Sequence, residues 1–146
     1  GAPSTITRLQ NMGTPDYLIS AACQLVVAQR LARKNCKECR VPDDDVTPKV
    51  LQDLGFTAEL ASRVKAVKGK GCTKCNNTGY KGRQGIYEIL VVTKPLKEAI
   101  LRQATTPELR EIGVKEGFQT MQDMGRRLIA SGELNFREYE RVLSGE

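Results

Sequence analysis

Four of the five cysteines stand in two pairs with the same spacing. Cys36 and Cys39 form the first C-x-x-C unit, Cys72 and Cys75 form the second, and 32 residues separate the two. Two such turns can bring four sulfurs to one ion, which is typical of a tetrahedral structural zinc site. The 146-residue chain has no histidine, so the site would be all-thiolate. The spacing therefore predicts a closed, structural Zn²⁺ rather than a catalytic one.

Other chemistries remain open for the same four residues. Iron also accepts four thiolates in tetrahedral geometry, and the pairs could instead be redox dithiols or simple free thiols. A disulfide inside one C-x-x-C unit would close a loop too short to stabilise a fold much. Paired, reduced cysteines suit the cytosol. Cys23 lies in an apolar stretch, where we expect it to be a small buried residue.

The motifs of known catalytic sites are missing. The sequence has neither the G-x-x-x-x-G-K-[ST] phosphate loop nor the G-x-G-x-x-G fingerprint, and it has no histidine to act as a base. Glu88 falls within an apolar, β-branched run, where we expect its carboxylate to be structural. The residues alone therefore predict a module without a complete active site.

The charge balance leaves one rival function open. The net charge is +6, and a basic protein can bind nucleic acid or anionic lipid. No dense basic block is present, so a solvated basic face is favoured. No apolar run approaches the ~18 residues of a membrane span, and nothing resembles a signal peptide. The rival is a free-standing zinc ribbon that binds nucleic acid through its basic residues, Lys65, Lys68, Lys70, Lys74, Lys81 and Arg83.

Strands are predicted on both sides of the cysteine pairs and helices elsewhere. The runs 25–31 and 86–92 read as strands, although a helix also fits the first run because it is short and apolar. If they pair antiparallel, a metal ion would tie the base of the excursion 36–82, and residues 68–71 would be a flexible approach to the second pair. Cap signals predict helices that start near Pro3, Thr14, Thr47, Thr57, Thr93, Thr105, Thr120 and Asn135. Their inner faces should include Leu18, Ile19 and Ala22 in the second helix, and Leu60 and Val64 in the fourth.

Several stretches, in order, resemble one protein family. They are Ala2-Pro3-Ser4-Thr5-Ile6-Thr7-Arg8-Leu9, Asn11-Met12-Gly13, Ala28-Gln29-Arg30-Leu31, Gly71 to Cys75, Thr78 to Arg83 and Gly85 to Leu90. Together they are similar to the C-terminal part of the type IV pilus assembly and type II secretion traffic ATPases. The first two stretches look more like the pilus extension branch than the secretion branch.

The resemblance implies an α+β fold: the C-terminal end of a RecA-like ATPase domain, a tetracysteine zinc-binding insertion between two antiparallel strands, and a helical C-terminal tail. By position, residues 1–35 would end the RecA-like core. Residues 36–82 would form the zinc-binding subdomain, and residues 83–146 the return strand and C-terminal helical subdomain. The Walker motifs would lie upstream, so this part alone should not hydrolyse ATP, although the parent would use ATP and Mg²⁺.

The resemblance also implies partners and further site residues. The parent would be a cytoplasmic homo-hexamer, peripheral at the inner membrane through a platform protein of the pilus or secretion machine, and no specific nucleic acid is expected. Arg8, Gln29 and Arg30 would lie nearest the nucleotide or at the subunit interface.

Overall fold

The computed structural model describes residues 1–144 and shows a mixed fold of helices and antiparallel strands. Its elements, in chain order, are α1 (Ala2–Asn11), α2 (Asp16–Ala22), β1 (Leu25–Asn35), β2 (Arg40–Pro42), α3 (Pro48–Asp53), α4 (Ala58–Arg63), β3 (Val67–Gly69), a 3-10 turn (Thr73–Cys75), β4 (Tyr80–Val91), α5 (Lys94–Leu101), α6 (Thr106–Lys115), α7 (Met121–Ser131) and α8 (Phe136–Leu143). None of the helices in this described part is long and apolar enough to cross a membrane.

The two long strands flank the cysteine pairs, as the sequence predicts. β1 and β4 form a two-stranded sheet. The N–H of Val92 donates to the carbonyl of Gln24 at one end, and the N–H of Cys36 donates to the carbonyl of Gly79 at the other, both at 2.9 Å. These two bonds show that the strands run antiparallel. Both strands are longer than predicted and reach the cysteine turns.

A second, shorter pair of strands lies inside the excursion. β2 pairs antiparallel with β3, and Val41 lies opposite Lys68. The expectation of a flexible approach to the second cysteine pair is therefore wrong, because residues 67–69 form an ordered strand. Gly69 allows the chain at Gly79 to pass close to β3, since a Cβ at position 69 would lie 1.9 Å from the carbonyl oxygen of Gly79.

The chain divides into two compact units, each built from two segments. The first, which we call the helical unit, comprises Gly1–Gln29 and Tyr87–Met121. Its apolar core includes Ile6, Ile19, Leu90, Leu96, Ile100 and Leu109. In α2 the prediction is only partly right, because Ile19 is buried whereas Leu18 is 48 % exposed and Ala22 is exposed. The helix is short, and Ile19 and Ser20 alone among its residues are buried.

Glu88 has the structural role predicted for it within the helical unit. Its side chain is 2 % exposed. It accepts the backbone N–H of Ala2 at 2.5 Å and that of Met121 at 2.8 Å. These are the first residues of α1 and α7, and the first N–H groups of a helix have no partner within it. The carboxylate therefore satisfies a backbone N–H group at the N-terminus of each helix, where negative charge is favourable.

The second, which we call the cysteine unit, comprises Arg30–Ile86 and the chain from Gln122 onward. Its buried apolar residues include Leu51, Phe56, Ala61, Ile129, Leu134, Tyr139 and Leu143. In α4 the predicted inner face is only partly right, because Leu60 is 49 % exposed and Ala61 is buried instead, whereas Val64, just after the helix, is partly buried. Asn135 begins α8 as predicted and accepts the N–H of Glu138 at 2.7 Å.

The division into residues 1–35, 36–82 and 83–146, which the family resemblance implies, stays a prediction. The two units, by contrast, are the compact parts of the folded chain, and their boundaries differ from those of the predicted division.

Candidate metal centre

The four paired cysteines meet at one point of the cysteine unit. Their sulfurs all lie within 4.8 Å of one another. The Sγ–Sγ distances are 3.7 Å for Cys36–Cys72, 3.9 Å for Cys39–Cys75 and 3.7 Å for Cys72–Cys75. Four sulfurs at about 2.3 Å from a central ion would be about 3.8 Å apart in a regular tetrahedron. The arrangement therefore fits one tetrahedral thiolate-bound ion such as Zn²⁺.

Local backbone geometry explains how the second pair closes on the first. Cys72 precedes the 3-10 turn that ends at Cys75. Asn76 and Asn77 then adopt left-handed φ angles of 54° and 62°, which asparagine tolerates better than most residues. This sharp reversal brings Gly79 back beneath the turn, where its N–H lies 3.2 Å from the sulfur of Cys75.

Backbone N–H groups point at the sulfurs. Gly71 donates to Cys39 at 3.3 Å, and Cys75 accepts from Cys72 at 3.3 Å as well as from Gly79. Burial acts to raise the pKa of the Cys75 thiol, but these donors bring it down to about 6. Burial raises the pKa of the neighbouring Cys39 to about 11. The Cys75 thiolate is thus favoured whereas the Cys39 thiol resists ionisation, and a bound divalent cation would favour the ionised form of both.

All five cysteines are free in the structure. The sulfur separations in the cluster are far longer than the ~2.05 Å of a disulfide bond. Cys23 belongs to the helical unit. It is only partly buried against that unit's core, so the expectation of a buried residue is too strong.

Comparison with known proteins identifies the family. The model of the family described as "Type II/IV secretion system protein" matches residues 1–141. The chain belongs to this family. The resemblance read from the sequence is therefore confirmed.

Individual relatives include both branches of the family. The chain is 34 % identical over 137 residues to the type IV pilus assembly ATPase PilB of Myxococcus xanthus. It is 36 % identical over 141 residues to PilB of Pseudomonas aeruginosa, and 34 % over 141 residues to the type II secretion system protein HxcR of the same organism. These matches cover 94–97 % of the chain but only 24–26 % of the relatives. The chain thus spans about a quarter of their length.

The other residues predicted from the family layout lie outside the cluster. Arg8 is exposed on α1, and Gln29 and Arg30 are adjacent, exposed residues of β1. Their roles near a nucleotide or a subunit interface stay predictions. The six basic residues of the nucleic-acid alternative are all exposed, which suits a solvated face as well as a binding surface.

Sequence reasoning missed the main charged cluster of the cysteine unit. Glu138 has a fully buried side chain that accepts the N–H of Arg33 at 2.6 Å and two bonds from Arg141 at 2.7 Å. The guanidinium of Arg33 also reaches it at 2.9 Å and lies 4.1 Å from the centre of the Tyr80 ring. Only the spacing of Glu138 and Arg141 on α8 is visible in the sequence. The pattern Asn135-Phe136-Arg137-Glu138 predicts a capping box, but only its Asn135 half forms, because the Glu138 side chain binds these arginines instead.

Electrostatics of this cluster follow from its contacts. Burial would raise the pKa of Glu138, but hydrogen bonds from Arg141 and Arg33 lower it to about 2. The same contacts raise the pKa of both arginines. The carboxylate is therefore charged at every physiological pH.

Proposed function

We propose that this chain is the C-terminal, zinc-holding part of a hexameric ATPase that powers type IV pilus assembly. The observation that carries the proposal is a cluster of four sulfurs, all within 4.8 Å of one another, in a chain that matches PilB relatives over 94–97 % of its own length. The chain lacks a phosphate loop. Its own role in the parent would therefore be structural rather than hydrolytic.

The position of the cluster supports this role for the metal. Cys36 and Cys39 lie where β1 ends, whereas Cys72 and Cys75 lie just before β4 begins. An ion held by all four would join both ends of the excursion 36–82. That segment contains only short helices and three-residue strands, so it has little regular structure of its own. A structural Zn²⁺ supplies folding free energy and takes no part in a reaction step.

The exposed face of the sheet supports the idea of a larger parent. Within the helical unit, Leu25 and Val27 of β1 and Tyr87, Ile89 and Val91 of β4 are 48–58 % exposed. The alternate residues of both strands, such as Val26 and Leu90, are buried. A sheet that carries large apolar residues on both faces is typical of one that is covered on both sides. We infer that the RecA-like core of the parent covers this face.

The remaining roles belong to the parent. It would bind ATP and Mg²⁺ upstream of this segment, assemble as a homo-hexamer, and act at the cytoplasmic side of the inner membrane with a platform protein. Arg8, Gln29 and Arg30 would approach the nucleotide or the neighbouring subunit. This chain alone would neither turn over ATP nor bind a specific nucleic acid.

Metal analysis tests the structural part of the proposal. Protein purified without added metal should contain about one zinc per chain, and Cys36→Ser with Cys72→Ser should lose the metal and the fold of residues 36–82. Cys23→Ser is the matched control, because it removes a thiol outside the cluster and should keep its zinc. Iron, or a metal-free chain in which residues 36–82 stay folded, would contradict the proposal.

A chimera tests whether the chain belongs to a pilus assembly ATPase or to a secretion ATPase. The match to HxcR is as extensive as the match to PilB, so a secretion ATPase is the second candidate. The segment should replace its counterpart in a pilus assembly ATPase with pilus formation retained, and should fail in a secretion ATPase. Function only in the secretion chimera would favour the second candidate.

A further inference from the structure

Positive charge is concentrated in one unit of the chain. Residues 30–86 contain thirteen Lys and Arg residues against six Asp and Glu residues. The two segments of the helical unit, by contrast, contain six of each. The excess positive charge of the protein therefore lies on the cysteine unit.

Three cationic side chains of this unit line one cavity. Its volume is about 440 Å³, and it is lined by Leu31, Ala32, Arg33, Arg83 and Arg141. Arg33 lies on β1, Arg83 on β4 and Arg141 on α8. Among the residues that the structure describes, the lining includes no carboxylate. Three arginines that line one open cavity suit an anionic ligand.

Glu138 and Tyr80 hold two of the arginines in place. Glu138, which is fully buried, accepts Nε and Nη2 of both Arg33 and Arg141. The Tyr80 ring supports the guanidinium of Arg33. A guanidinium has five N–H donors, so Glu138 leaves donors of each arginine for another partner. The arginine side chains are 47 % and 54 % exposed.

We propose that Arg33, Arg83 and Arg141 form a binding site for a phosphate-type dianion. Glu138 pairs with Arg33 and Arg141, and Arg83 adds a third positive charge to the lining, so a net positive charge remains. Arginine binds phosphate oxygens bidentately, and fixed guanidinium groups lose less entropy on binding than free ones. The phosphate group would come from a soluble phosphate compound or from a lipid head group. The site uses none of the clustered thiolates.

Calorimetry with inorganic pyrophosphate tests the site on the zinc-loaded 146-residue chain. Arg83→Gln should weaken binding about tenfold, because it removes charge-assisted hydrogen bonds. Arg63→Gln is the matched control, since Arg63 is an exposed cation of the same unit outside the cavity, paired with Glu59. It should change affinity less than about twofold. Zinc content and the urea midpoint are checked for each variant.

Vesicle sedimentation distinguishes the sources of the phosphate group. Vesicles rich in phosphatidic acid are compared with vesicles of phosphatidylcholine alone. Pyrophosphate binding that Arg83→Gln weakens assigns a soluble ligand, and selective sedimentation with anionic vesicles that the same variant weakens assigns a lipid. Binding of neither probe, or equal weakening by Arg63→Gln, would overturn the proposal. If Arg83→Gln fails to fold, Arg83→Lys provides a second test. It keeps the positive charge but lacks the paired N–H donors of a guanidinium, so it should still weaken binding.

Discussion

At the scale of single residues, one buried carboxylate is central to each unit. Glu88 completes the starts of α1 and α7 in the helical unit. In the cysteine unit, Glu138 joins β1 to α8 through Arg33 and Arg141. A buried carboxylate is costly unless donors satisfy it, and both have them. The structural role of Glu88 was predictable from its place in an apolar strand, whereas the partner Arg33 lies 105 residues from Glu138.

Replacement of Glu138 should destabilise the chain. Glu138→Gln removes the charge but leaves two arginines facing a neutral amide, which should cost about 3 kcal/mol of the free energy of unfolding. Urea titration of the zinc-loaded protein measures this cost. Glu140→Gln, an exposed position on the same helix, is the control and should change stability by less than about 0.5 kcal/mol. Equal effects of the two variants would contradict the assigned role.

The effect of Glu138 should depend on pH in a defined direction. Its pKa is lowered from 4.5 to about 2, so the folded protein binds this proton less tightly than the unfolded chain. The carboxylate therefore adds stability above pH 4.5, and this contribution is lost as the pH falls from 4.5 to about 2. The difference in stability between wild type and Glu138→Gln should shrink over that range. A difference that stays constant would be evidence against the lowered pKa.

Replacement of Glu88 should also be costly, for a different reason. Glu88→Ala leaves two buried helix N–H groups without their acceptor, and each should cost about 1–3 kcal/mol. Thermal or urea unfolding measures the loss. Glu98→Ala, at an exposed position of α5 in the same unit, provides the comparison and should be nearly neutral. An unperturbed Glu88→Ala protein would mean that other acceptors satisfy these groups.

At the scale of elements, the sheet of β1 and β4 is packed on one face and exposed to solvent on the other. Alternation places large apolar side chains on its exposed face, including Val27 and Ile89, and this face lies within the helical unit. Isolated two-stranded sheets are marginal in water. Here the buried face packs in the unit's core, so the sheet is stable while the other face remains uncovered.

The isolated chain should therefore show apolar surface that two substitutions reduce. Val27→Thr with Ile89→Thr should lower binding of a fluorescent apolar dye and lower self-association, measured by analytical ultracentrifugation, with little loss of stability. Val26→Thr is the matched control in the same strand. Since Val26 is buried, this change should lower stability instead. Unchanged dye binding in the double variant would argue against an exposed sheet face.

At the scale of the whole molecule, the two units should respond differently to metal removal. All four clustered cysteines belong to the cysteine unit, whereas the core around Leu96, Ile100 and Leu109 belongs to the helical unit. Chelation at neutral pH should therefore raise amide hydrogen exchange across residues 36–82 far more than in α5 and α6. Readdition of zinc should restore protection. Uniform loss of protection would mean that the chain unfolds as one cooperative unit.

The sequence by itself determined the local features of this protein. Cysteine spacing, cap residues and β-branched runs act over a few residues, so they correctly indicated the four-sulfur cluster, the two long strands and most helix starts. The resemblance to the ATPase family could be read in the same way, because its motifs are contiguous.

Only the tertiary structure decided which distant groups meet. The pairing of β2 with β3, the residues buried in short helices such as α2 and α4, and the contact of Glu138 with Arg33 depend on packing between segments far apart in the chain. The cavity of Arg33, Arg83 and Arg141 has the same origin, since each arginine lies on a different element. Periodicity and spacing describe near neighbours, whereas burial and ion pairing are properties of three-dimensional proximity.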